Sequence, residues 1–316
     1  MKKLLLALAV LGTVGAASNA QAFAYARSQD NVTNFLLDVT PGISFIGPAS
    51  VNSFATACLP STNCMSTGGP GSTASTPAMI FSGIAPTPYT DNHLSATSFA
   101  LADAQIVSQQ LSGQAFTHAT NVAEGKLLEN NRANAVAGNS SATVLQSTFA
   151  VGGTGGTVNF SFDAAPMITA WLTAAAIGSQ AEGILAVNFN IVNSSGAVVF
   201  NWAPDGVVSP SIFGGTESAD AFTLNTTLTA LPANPGPLTY NPGNCAIGAP
   251  PPAGSPATRC FNATTNTLAA GVYTLNLAMS EAVNLQLVQV PEPGTLFLLG
   301  IGLGAAGIAR RRRTQV

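Results

Sequence analysis

Short runs in which apolar and polar residues alternate dominate the second half of the chain. Val158, Phe160 and Phe162 alternate with Asn159, Ser161 and Asp163; Val187, Phe189 and Ile191 with Asn188 and Asn190; Val198, Phe200 and Trp202 with Val199 and Asn201. Phe222, Leu224 and Leu228 share a parity, as do Tyr273, Leu275, Leu277 and Met279, and then Val283, Leu285 and Leu287. A period of two with one apolar face predicts antiparallel strands buried on one side. Glycine, asparagine and proline clusters at 152–156, 193–196 and 204–206 supply the turns. The pattern predicts an all-β fold, an antiparallel β-sandwich of the jelly-roll type, with 143–289 its most regular part. Upstream, 32–39 and 94–101 are strand-like, and they either join the same sheets or form a looser N-terminal piece. Residues 121–134, with Val122, Leu127 and Leu128 but also Gly125 and several asparagines, fit a short helix or strand and loop. Stretches 66–77 and 232–257, the latter with Pro250, Pro251 and Pro252, read as flexible loops.

Two apolar runs lack any alternation, and both are terminal. Lys2 and Lys3 precede an apolar stretch to Ala17, then Ser18, Asn19, Ala20, Gln21 and Ala22 before Phe23. A basic start, an apolar middle and a small-x-small end describe a secretion signal, here residues 1–22 as a signal helix, with Ala20 and Ala22 fitting the pockets of signal peptidase. At the other end, the Gly- and Ala-rich run from Thr295 to Ala309 is followed by Arg310, Arg311, Arg312 and Arg313. A run this short crosses a bilayer only marginally, since a full span takes about 20 residues. The arginines hold its end in the cytoplasm by the positive-inside rule. The expected order is therefore an outer region at 23–290, a short transmembrane helix and a basic stop.

Pro291, Glu292 and Pro293, the Gly-rich apolar run and the arginine cluster, in that order, resemble the PEP-CTERM sorting signal of Gram-negative bacteria, over residues 291–313. The resemblance implies recognition by an exosortase, cleavage near the Pro-Glu-Pro motif, and a host that makes an exopolysaccharide or biofilm matrix. It implies a chain anchored in the inner membrane before processing and then placed at the cell surface or in the extracellular matrix. The stretch 193–206 loosely resembles pieces of the outer regions of other such proteins, and no site follows from it.

Charge narrows the partners. Charged residues are 7% of the chain, and six of the ten lysines and arginines lie in the two terminal segments. Residues 23–290 keep four basic side chains (Arg27, Lys126, Arg132, Arg259) against twelve acidic ones, hence a net charge of −8. That balance disfavours nucleic acid and anionic polysaccharide, and leaves neutral glycans, divalent cations or proteins. Of four cysteines, Cys58 and Cys64 flank a short loop and Cys245 and Cys260 a Pro-rich one. Three pairings exist on paper, and the two local ones are expected in an oxidising compartment. A zinc site has no support, because His93 and His118 sit at no ligand spacing.

No catalytic constellation emerges. The two histidines, His93 and His118, stand outside any Gly-x-Ser-x-Gly elbow. Asp163, Glu182, Asp205, Glu217 and Asp220 fall at strand ends and turns, where acids cap and turn the chain. Glu217 and Asp220, three apart on a Gly-rich loop, and Asp205 on another would suit a calcium clamp, yet solvated loop acids are the simpler reading. Trp202, by parity with Phe200, and Trp171 are expected in the core, and Tyr240 is the aromatic expected to be exposed. The sequence thus predicts a non-enzymatic surface or matrix protein without a bound cofactor. Its alternative is a carbohydrate-binding module, with calcium or without it, that tethers exopolysaccharide.

Overall fold

The computed structural model describes residues 22–59, 64–69, 72–76, 93–107, 117–128, 134–173, 177–208, 212–243 and 259–288. In chain order these form β1 (Phe23–Val39), β2 (Ile43–Cys58), β3 (Cys64–Gly69), β4 (Ser72–Thr76), β5 (Phe99–Val107), β6 (Thr117–Leu128), β7 (Asn134–Val151) and β8 (Val158–Ala164). Then come β9 (Met167–Thr173), β10 (Gln180–Asn193), β11 (Val198–Trp202), β12 (Gly215–Asp220), β13 (Thr226–Ala230), β14 (Leu238–Tyr240), β15 (Phe261–Thr265) and β16 (Gly271–Val288). No α-helix occurs among the described residues, nor any helix long and apolar enough to cross a membrane. The expected signal and transmembrane helices lie outside them.

Among the described residues all strand pairing is antiparallel and makes two sheets. Sheet A runs β12-β15-β8-β1-β6-β5-β4, with β9 also on β1 and β14 on β9. Sheet B runs β11-β10-β16-β7-β2-β3, with β13 also on β10. Each sheet divides along one long strand. One side of β1 pairs with β6, while the other meets β9 from Phe23 to Gln29 and β8 from Val32 to Val39. Just past the change of partner, β1 bulges between Thr33 and Leu36, where Asn34 takes φ 55°, a left-handed conformation that asparagine tolerates better than most residues. Likewise β10 pairs with β16 along its whole length, and on its other side with β13 and then β11.

Two stacked cores follow from this division. Phe160, Phe162 and Phe261 of sheet A interleave with Phe189, Phe200 and Trp202 of sheet B; the rings of Phe162 and Phe261 stack at 4.7 Å and those of Phe189 and Trp202 at 4.9 Å. The other half is built of small residues: Ala24, Ala26, Ala55, Ala57, Ala123, Ala170 and Ala181, closed by Leu127, Leu172, Leu285 and Leu287. Alanine lets the sheets approach closely. At Gly183 a Cβ would collide with the Ile168 side chain of the facing sheet. Ser28 Oγ donates to the Ile184 carbonyl at 2.7 Å, bridging the two sheets at the same level.

Because Ala24 of β1 and Leu287 of β16 share this alanine-rich core, the first and last strands end at one pole of the sandwich. Both are interior strands, β1 in sheet A and β16 in sheet B.

Some expectations left open are decided and others need correcting. Of the two alternatives for 121–134, a helix or strand and loop, the strand holds for 121–128, which lie in β6 and pair on both sides. Stretch 66–77 holds parts of β3 and all of β4, so it is not simply a loop. The strand-like run at 94–101 begins as a turn, and the strand starts at Phe99. The N-terminal third adds strands to the same two sheets. Residues 244–257 of the second expected loop lie outside the described residues.

Candidate functional site

The outward face of sheet B carries the most ordered polar array. Gln146 on β7, Asn276 on β16, Asn190 on β10 and Asn201 on β11 occupy one cross-strand row, each opposite the next in register. Their inward neighbours, Leu145, Leu277, Phe189 and Trp202, fill the core, so strand parity alone points the amides outward. Gln146 Nε2 donates to Asn276 Oδ1 at 2.9 Å, and Asn276 Nδ2 to Asn190 Oδ1 at 2.9 Å. Asn190 Nδ2 continues to Asn188 Oδ1 at 3.3 Å, and Asn188 Nδ2 to Asn201 Oδ1 at 3.1 Å. Five amides thus form one directed chain across four strands. Three strand spacings make the row about 14 Å long. Amides neither titrate nor act as nucleophiles, so what the row offers is hydrogen-bond donors and acceptors. Each amide nitrogen keeps a second hydrogen for a hydroxyl-bearing, uncharged ligand.

Further along this face Glu182 accepts from Asn284 Nδ2 at 2.8 Å and from Thr229 Oγ1 at 3.3 Å. Charge is otherwise drawn inward. Asp30, Asp103, Glu124, Asp163, Glu217, Asp220 and Glu281, seven of the twelve acids of 23–290, are buried. The excess negative charge read from the sequence therefore does not become a strongly acidic surface.

Of the three acids suggested for calcium, Asp205 and Asp220 serve the backbone and Glu217 a core side chain. Asp220 Oδ2 accepts from the main-chain nitrogens of Asp205 and Gly206, both at 2.8 Å, and Asp205 Oδ1 accepts from Val207 at 2.9 Å. Glu217 accepts the indole N–H of Trp202. Burial pushes the Asp220 carboxyl up to about 6; those two backbone N–H groups oppose the rise, and the Glu217 and Asp205 charges add to it. Among the described residues no group of three or more His, Cys, Asp or Glu side chains is placed to hold a metal ion.

The remaining singled-out residues scatter. Asp163 pairs with Arg259 at 2.9 Å and also accepts from Asn34 Nδ2 at 2.9 Å. The His93 carbonyl accepts from Lys126 Nζ at 2.5 Å, and its ring lies 6.1 Å from those of Tyr25 and Trp171. His118 pairs with Val107 in the β5–β6 ladder. Trp202 is in the core as its parity predicts. Trp171 is not: Ile168, Ala170 and Leu172 take the core face of β9, which turns Trp171 to the opposite face, against Phe23 at 4.8 Å. Tyr240 is half-buried against the aromatic core, its hydroxyl donating to the Thr223 carbonyl at 2.7 Å.

Cys58 faces Cys64 across the β2–β3 ladder, and Cys260 precedes β15. Cys245 lies outside the described residues. Ala22 is buried just ahead of β1. Ala20, Pro291, Glu292, Pro293 and Arg310 to Arg313 lie outside the described residues.

In the sequence Asn188, Asn190 and Asn201 read as the polar half of their alternations, and Gln146 gives no signal of its own. The residue types were visible, but their alignment depends on the register of four strands remote in sequence.

Residues 289–313 match the model of the PEP-CTERM protein-sorting motif, starting one residue past β16. That motif implies an exported protein, anchored in the membrane before an exosortase processes it. No curated protein and no solved structure matches the chain.

Proposed function

We propose that this chain is a non-enzymatic structural protein of the cell surface or extracellular matrix, delivered by the exosortase route and associated with exopolysaccharide or biofilm. The observation that carries the reading is the sorting motif at 289–313, joined without a spacer to the last strand of an all-β outer domain. Supporting it, acids singled out in the sequence hold backbone and core groups: Asp220 two main-chain nitrogens, Glu217 the Trp202 indole and Asp163 the Arg259 guanidinium. Frequent crossing of the chain between the two sheets favours a winding of the jelly-roll type. The test is to express the protein in its host with and without the exosortase and to take the mass of the mature chain. Processing near Pro291 only when the enzyme is present supports the route; an unaltered C-terminus in both strains removes it.

A second reading, a module that binds neutral carbohydrate, is favoured by the amide row on sheet B. Aromatic stacking contributes little to it, because Trp171 and Tyr240 are half-buried and Trp202 is buried. A glycan array probed with the purified protein, with calcium and without, tests this reading. Absence of binding in both conditions eliminates it.

A further inference from the structure

The pole of the sandwich at which β1 begins and β16 ends carries three described turns, at 93–98, 177–179 and 231–237. The first adjoins the C-terminal end of β6, where Ser98 Oγ accepts from the Leu128 nitrogen at 2.9 Å. The second joins β9 to β10, and the third follows β13, with the Pro235 carbonyl accepting from Leu172 at 2.7 Å. None of these turns contains a charged residue. They hold the two most exposed large apolar side chains of the described residues, Ile177 at 94% and Leu94 at 83%, together with Leu231 at 44%.

Chain length ties this pole to the bilayer. Six residues, 289–294, separate Val288 from the apolar run that starts at Thr295. Fully extended they reach at most about 20 Å. Strand β16, with 18 residues, is about 60 Å long, so the opposite pole lies well beyond that reach. The secretion signal ends at the same pole, immediately before Phe23. Both membrane segments therefore leave the fold on one side, and the domain can close while either of them is still inserted.

We propose that, while the tail is anchored, the alanine-rich pole rests on the outer surface of the lipid bilayer, with Ile177 and Leu94 dipping into the boundary between headgroups and acyl chains. Uncharged turns with apolar tips lose little on entering that zone, whereas charged ones would resist it. The inference rests on the tail acting as a bilayer anchor.

The test uses the full chain reconstituted into vesicles of phosphatidylcholine and phosphatidylglycerol, with and without brominated acyl chains. Variants I177W and L94W report on the near pole and V198W on the far one, all three positions being exposed. Flotation with the vesicles establishes anchoring. The expected result is that all variants float, and that I177W and L94W show at least twofold more quenching by brominated lipid than the parent, while V198W matches the parent. If all float but I177W and L94W are quenched no more than V198W, the surface contact is wrong and the anchor stands. If none floats, the anchor reading falls and this inference with it.

Discussion

Arg259 donates from Nη1 to Asp163 Oδ2 at 2.9 Å, with both side chains almost wholly removed from water. The same carboxylate holds Asn34 Nδ2 at the β1 bulge and accepts from the Cys260 nitrogen at 3.4 Å. One acid thus joins the bulge of β1 to the start of β15. Removing it leaves a buried guanidinium facing no anion at this point, so Asp163→Ala is expected to cost about 3–5 kcal/mol. Urea denaturation measures this. Asp163→Leu combined with Arg259→Met should lose less than the sum of the single changes. Additive losses would mean that the pair is not coupled.

The oxidising route of export predicts two local disulfides, Cys58–Cys64 and Cys245–Cys260. The first is supported by the direct opposition of the two residues in the β2–β3 ladder. Closing the 15-residue span to Cys260 should add about 3 kcal/mol. Peptide mapping of the exported protein without reductant should recover these two pairs and no free thiol. Cross-linked peptides joining Cys58 or Cys64 to Cys245 or Cys260 would refute the pairing.

Stability should fall as pH rises. Burial pushes the Asp30 carboxyl from 3.8 up to about 7, with the backbone N–H groups of Asn31 and Ala165 opposing the rise. Among the described residues, Asp30 Oδ2 meets no hydrogen-bond donor. A raised native pKa means that the folded state holds its proton more tightly than the unfolded one. Its contribution is fully present below about pH 4 and is lost as pH rises through about 7, a change of about 4 kcal/mol. Asp220, raised to about 6, acts in the same direction. Asp30→Asn should flatten most of this slope in melting curves taken from pH 4 to 8; an unchanged slope would place the proton elsewhere.

The amide row separates folding from binding. Asn276 both donates to Asn190 and accepts from Gln146 on an outward face. Asn276→Ala should therefore cost no more than about 1 kcal/mol of stability. If the carbohydrate reading holds, the same change should lower glycan retention at least fivefold. A variant that unfolds would show that the row is a structural brace.

Close approach of the sheets gives a further expectation. Gly183→Ala adds a methyl group where the Ile168 side chain already sits and the Arg27 carbonyl lies 3.3 Å away. A loss of about 1–3 kcal/mol is expected for this overpacking. Ile168→Ala removes the Cγ2 methyl that the new Cβ would strike, so in thermal unfolding the double change should lose less than the sum of the two single ones.

Strands with one wet face were legible in the sequence, and those with two covered faces were not. From Tyr273 to Leu287 every second residue of β16 is buried, so the alternation is plain. In β1 both Ala24 and Tyr25 are buried, and on the second face Tyr25 packs beside Phe99, Leu101 and Val122 of the neighbouring strands. Its code of small, aromatic and polar residues therefore carries no period. Glu281 lies on the buried face of β16 and reads as an interruption of the apolar stripe. Strands β3 and β4, rich in Ser, Thr and Gly, have the composition of turns, and their pairing with β2 and β5 overrides it. Trp171 was misplaced because the apolar run around it hides which parity faces inward. The sorting motif was fully legible, since an address is read as linear sequence and needs no register.

The placement of β16 between β10 and β7 sets the timing of maturation. Until residue 288 clears the export channel, sheet B has a vacant slot at its centre, and the facing edges of β10 and β7 have nothing to bond across it. The chain must stay soluble in that open condition for the whole passage, and it locks only when its final strand slides in. A protease that trimmed the polypeptide even a few residues ahead of the sorting motif would remove part of that locking strand and expose two sticky edges. The acceptable window for cutting therefore opens just past Val288, where the address begins.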